Sequence, residues 1–186
     1  SHSKGERANP KAATPSAASN FDQGEHPAMS SIQPGDEIRG FKTIAVTPVD
    51  EVRGTAYQFR HGATGARVLH IHAPDNENLF SISFPTPPPD DTGVPHILEH
   101  AVLAGSRKFP VREPFFEMVK MSMATFINAM TYQAYMVYPV ASNVKKDFFN
   151  LAEVYLDAVF HPLLTEDIFR REGHHFTLEN NADPAS

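Results

Sequence analysis

Four short stretches, Phe41 to Pro48, Thr55 to His61, Arg67 to Ala73 and Leu79 to Phe84, are rich in Val, Ile, Phe and Tyr and are separated by Gly, Asp and Asn. Runs of this composition between turn formers predict consecutive antiparallel strands. Pro85 to Gly93 then holds four prolines, two aspartates and a glycine, which ends the strand and prepares a helix, with Thr92 as its cap and Pro95 in its first turn. The helix is expected over Pro95 to Ala104. Beyond it, Phe116, Val119, Met123, Phe126 and Met130 recur at helical spacing, and so do Phe148, Leu151, Ala152, Tyr155 and Val159, so two more amphipathic helices are predicted. Tyr135 to Ala141 between them reads as a strand. A short helix is expected over Glu166 to Glu172, and Phe176 to Leu178 starts another strand. The class is α+β, an antiparallel sheet with helices packed on it.

The ends of the chain read differently. Ser1 to about Ser31 is dominated by Ser, Ala, Pro and Asn, with Phe21 and Met29 almost alone as larger apolar residues, a composition that cannot offset the entropy of ordering. Residues 1–31 are therefore expected to be a disordered leader and 32–186 the patterned domain. Glu6, Asp22 and Glu25 argue against a matrix-targeting peptide, which is normally Arg-rich and free of acids. At the other end Phe176 to Leu178 is followed at once by Asn, Asp and Pro, so the domain is expected to be incomplete, with further chain downstream.

Composition narrows the chemistry. The hydrophobic fraction of 41% suits a globular domain. A net charge of -6, with no basic cluster interleaved with aromatics, excludes a nucleic-acid backbone as partner. No cysteine is present, so a metal would have to rest on His and carboxylates. The apolar runs are far shorter than the roughly 20 residues of a membrane span. The expected setting is soluble and intracellular, with bacterial cytoplasm and organelle matrix both open.

Candidate chemistry lies in His96-Ile97-Leu98-Glu99-His100. On a helix, positions i, i+3 and i+4 share a face, so His96, Glu99 and His100 point together while Ile97 and Leu98 turn toward the core. Two imidazoles one turn apart can hold one zinc ion, with the carboxylate between them as a general base. This order is the inverted H-x-x-E-H motif. With ten His and twelve Glu, a shuffled chain would show it about 0.03 times. Histidines merely paired with Glu99 on an exposed helix face are the competing reading.

Larger blocks add to the motif. Thr92 to His100, Gly105 to Pro110, Glu113 to Phe116, Thr125 to Thr131, Tyr138 to Ser142, Lys146 to Leu151 and Tyr155 to Phe160 resemble, in order, the pitrilysin (insulinase) family of zinc peptidases, and most closely its presequence-protease-like branch. The resemblance runs from Gly65 to about Asp183. It implies a zinc endopeptidase hydrolysing short unstructured peptides such as cleaved targeting sequences, with His96 and His100 as zinc ligands and Glu99 as the catalytic base. It also implies that Asn128-Ala129, at a sheet edge, lies along the bound peptide, which would be recognised by strand addition.

The match is not complete. The family takes its third zinc ligand from a downstream glutamate. Glu179 has nearly the spacing of the pitrilysin and insulinase branch, but in the presequence-protease-like branch the ligand follows a further strand and is expected beyond Ser186. Glu172 falls in Phe169 to Gly173, which matches a structural segment of relatives. With two ligands the chain is expected to hold zinc weakly and to be nearly inactive alone, its missing partners being the downstream domains of a longer protein. Relatives also tend to carry an Asp near Gln133 to Met136, where this chain has none. The rival class is a non-catalytic peptide-binding or assembly module using the Asn128-Ala129 edge.

Other features read as structural. His70 and His72 share a strand face without a carboxylate partner and are assigned to the surface. His174 and His175 would point to opposite sides of an extended segment. Five methionines between Met118 and Met136 are assigned to core packing. Phe115 and Phe116 fit either a side-chain pocket beside the metal or ordinary packing.

Overall fold

The computed structural model describes residues 31–110 and 114–173. The expected leader falls almost wholly outside them, as do Phe176 to Leu178, Glu179, His174, His175 and the side chains of Phe115 and Phe116. The chain divides into two compact units, Ser1–Pro74 and Asp75–Ser186.

In the first unit, β1 (Glu37–Ile38), β2 (Phe41–Val49), β3 (Gly54–His61) and β4 (Arg67–His72) form one antiparallel sheet in sequence order. Tight turns with left-handed residues make this meander possible. Arg39 and Gly40 take φ of 49° and 80° between β1 and β2, and Arg53 takes 51° before β3. Gly54 begins β3 where a Cβ would lie 2.5 Å from the His72 carbonyl oxygen, so any larger residue pushes the edge of the hairpin apart. Thr43, Ala56 and Tyr57 are buried, whereas every residue of β4 is exposed.

The second unit is built on β8 (Tyr135–Ser142), with β5 (Asn78–Pro85) on one side and β6 (Ala124–Ile127) then β7 (Met130–Thr131) along the other. β5 alternates strictly, placing Phe80, Ile82 and Phe84 against the core and leaving Leu79 outward. β8, flanked on both edges, has an almost continuously buried run ending in Val140, Ala141 and Ser142. Among the described residues four helices accompany the sheet: α1 (Val94–Val102), α2 (Pro114–Met121), α3 (Lys145–Phe160) and α4 (Glu166–Glu172). α3 packs Leu151, Tyr155 and Ala158 against Met136, Tyr138 and Val140, and Val102 and Leu103 close the cluster from α1. Truncating Leu151 to Ala would leave a cavity costing about 2–5 kcal/mol. No helix among the described residues is long and apolar enough to cross a membrane.

The α+β class and the helices over α1, α3 and α4 agree with the sequence reading, and three details differ. The fourth expected strand, β5, does not continue the first sheet but pairs with β8 in the second, since a strand pattern encodes a face and not a partner. The helix expected across Phe116 to Met130 ends at Met121 and gives way to β6 and β7. Thr125, Phe126 and Ile127 are strand formers, and hydrogen bonding to β8 overrides the helical spacing. As a result Met121 and Met123 are 76% and 64% exposed, so packing accounts for Met118, Met130 and Met136 but not for those two. Finally, the N-cap of α1 is Gly93 at φ 74°, because the Thr92 hydroxyl is turned back to Asp90 at 2.5 Å.

Candidate active site

α1 begins where Gly93 adopts a left-handed conformation and its carbonyl accepts the His96 and Ile97 N–H groups at 3.0 and 3.1 Å. Pro95, in the first turn, forfeits only a donor that a helix start leaves unpaired. The helix then divides its residues by face. Leu98 packs on the core, Glu99 is only 6% exposed, and His96 and His100 stand exposed.

The structure brings the two motif imidazoles together, with Glu99 on the same helix turned into the buried side. The His96 and His100 rings lie 5.0 Å apart between centres at 74° to one another. A zinc ion ~2.0–2.1 Å from one nitrogen of each ring, with a near-tetrahedral angle between the bonds, sets ring centres about 5 Å apart. The pair fits that ion. Among the described residues no group of three or more His, Asp or Glu is arranged to hold a metal.

Glu99 is held from the sheet. The Thr131 hydroxyl on β7 donates to Glu99 Oε2 at 2.5 Å, a charge-assisted bond of the short, strong kind. That leaves Oε1 uncommitted to Thr131. Beneath lie the phenols of Tyr138 and Tyr155, both pushed above their ordinary range, first by burial and then by the negative charge of Glu99. Both therefore stay protonated. The Tyr155 hydroxyl donates to the Asn128 carbonyl at 3.0 Å, tying α3 to the segment between β6 and β7.

Asn128 and Ala129 form that segment, half-buried at the rim of the sheet. The Asn128 N–H bonds to Pro139 O at 3.2 Å, and its side-chain Oδ1 accepts the Ala129 N–H at 2.9 Å. The pair thus lies on the β6–β7 side of the sheet, immediately before the strand that carries Thr131 to Glu99.

Three residues at the site escaped the sequence reading. Thr131 has no local signal. Tyr155 reads as part of the apolar stripe of α3, although a buried phenol demands a partner for its hydroxyl. Glu172, set aside as structural, reaches His100 Nδ1 at 3.3 Å. His70 and His72 stack 6.3 Å apart on β4, in the first unit.

Comparison with known proteins defines the class. The family model described as Insulinase (Peptidase family M16) matches residues 86–183, and the chain belongs to that family. It is 52% identical over 153 residues to the mitochondrial presequence protease of Xenopus tropicalis, covering 82% of this chain and 15% of that protein. It is 49% identical over 146 residues to protein HypA of Clostridium perfringens, covering 77% of this chain and 15% of that protein. The crystal structure of pitrilysin shares the fold at a TM-score of 0.62 and 24% identity, over 72% of this chain and 15% of that one. Within the family the relatives named presequence protease place the chain on that branch. The chain spans about 15% of the length of the curated relatives it matches.

Proposed function

We propose that this chain carries the two-histidine, one-base part of a zinc endopeptidase site that hydrolyses short unstructured peptides. The observation that carries the reading is Glu99, buried and held through one oxygen by Thr131, on the helical turn whose two exposed histidines have rings 5.0 Å apart. His96 and His100 would hold the ion, with a third ligand supplied from beyond residue 186. Zinc, when bound in such a site, acidifies a water molecule and polarises the scissile carbonyl. Glu99 would accept the water's proton at Oε1 and deliver it to the departing amine, a general acid–base role that leaves no covalent intermediate. Thr131 keeps the carboxylate from rotating away. The Asn128-Ala129 edge would take the peptide as an added strand, reading backbone more than side chains.

The presequence proteases among the relatives support a peptide substrate, and a cleaved targeting sequence fits the unstructured class. A soluble intracellular compartment is the corresponding setting, organellar in line with the relatives whose names say mitochondrial, or bacterial. With two protein ligands the chain by itself would bind zinc weakly and turn over little or nothing.

The test uses the chain carried to the length of its relatives. Glu99→Gln is expected to lower peptide hydrolysis by about 10²–10⁴-fold with zinc content near that of the parent, and His96→Ala to lose the metal. Hydrolysis at the parent rate in Glu99→Gln would remove Glu99 from the mechanism. Tight peptide binding by the parent with zinc bound and no turnover would favour the non-catalytic binding module instead.

A further inference from the structure

We propose that Glu172 is a positioning residue that fixes the ring of His100 for metal binding, an inference that rests on the zinc reading above. Its carboxylate oxygen Oε2 lies 3.3 Å from His100 Nδ1. The two residues are far apart in the chain and meet because α4 returns to α1. The carboxylate is not a free tether, since its other oxygen, Oε1, accepts from Arg171 Nε at 2.8 Å. Each oxygen therefore has its own partner.

The helix that presents Glu172 is also constrained at both ends. Thr165 caps its start by accepting the Ile168 N–H at 3.3 Å. Gly173 closes it with an N–H bond to Phe169 O at 2.7 Å, at a position where a Cβ would come within 2.7 Å of that same oxygen. The glycine lets the chain leave the helix directly after Glu172 without displacing the carboxylate.

The chemical consequence concerns the tautomer. A carboxylate accepts only, so the bond requires the proton on His100 Nδ1 and leaves the Nε2 lone pair available. Histidine ligands are commonly held in this way, and the acceptor both fixes the ring and raises the basicity of the ligating nitrogen. His100 needs such support, because its side chain is 50% exposed while that of Glu172 is 22% exposed. An unsupported ring there would sample other rotamers at the expense of ion affinity.

The experiment titrates zinc alone into the metal-free protein, carried to the length of its relatives, against a chromophoric chelator. Glu172→Gln is expected to weaken zinc about 10–100-fold, with the melting temperature of the metal-free protein unchanged and Glu172→Asp intermediate. In a His100→Ala background Glu172→Gln should have no further effect, since the carboxylate acts only through that ring. Zinc lost in His96→Ala but held at parental affinity in Glu172→Gln would overturn this proposal alone, as would equal weakening in the presence and absence of His100. No zinc bound by the parent would overturn it together with the zinc reading.

Discussion

The bond between Thr131 and Glu99 offers a quantitative check on how the site is built, through a double-mutant cycle of Thr131→Val and Glu99→Gln. The bond is 2.5 Å long and its acceptor is 6% exposed. Losing a hydrogen bond to a buried charge costs about 1.5–3 kcal/mol, against about 0.5–1.5 kcal/mol for a neutral pair. Thr131→Val should therefore destabilise the parent by the larger amount and the Glu99→Gln protein by the smaller. The expected coupling is about 1–2 kcal/mol. Glu99→Gln alone should be at least as stable as the parent, because it removes a charge from a buried setting while keeping an acceptor for Thr131. A site residue that costs stability is what a trade between stability and activity predicts. Urea unfolding with chelator present isolates these terms from metal linkage. Additivity of the two substitutions, within about 0.5 kcal/mol, would refute the argument, as would a Glu99→Gln protein clearly less stable than its parent.

Three further outcomes follow from the geometry. Tyr155→Phe removes the 3.0 Å bond to the Asn128 carbonyl; it should cost about 0.5–1.5 kcal/mol and, in the extended protein, raise KM for peptides more than it lowers kcat. Gly54→Ala places a Cβ 2.5 Å from the His72 carbonyl oxygen and should destabilise the first sheet by about 1–3 kcal/mol, read by urea unfolding, while zinc affinity stays unchanged. Although the residue as a whole is exposed, partial desolvation of its ring first, and the neighbouring His72 second, hold His70 below its ordinary value of 6.5. The folded state therefore favours neutral His70, so its contribution is complete above that pH and is lost as pH falls through the folded value. His70→Gln should flatten that slope in a series of unfolding midpoints.

The helices α1, α3 and α4 and the motif face were legible in the sequence because they depend on local periodicity. Residues four apart on a helix must share a face whatever else the chain does, so the His96 and His100 rings meet as their spacing requires. The α+β class followed from the same signals. The switch of β5 to a second sheet did not, since Phe80, Ile82 and Phe84 specify a buried face without specifying that β8 will flank it. Nor did the break at Met121, where a helical pattern across Met123, Phe126 and Met130 lost to hydrogen bonding with β8.

The site divides along the same line. Its three motif residues are a property of a few consecutive positions, which the sequence states outright. Thr131, Tyr155 and Glu172 reach it only because β7, α3 and α4 are folded against α1 and β8, and the chain between them carries no local record of those meetings. Local backbone preference is written residue by residue, whereas long-range partners are chosen by the packing of the whole unit. The sequence by itself therefore determined which imidazoles and which carboxylate share one helix; tertiary structure decided what buries that carboxylate, what holds its oxygen and what meets the second imidazole.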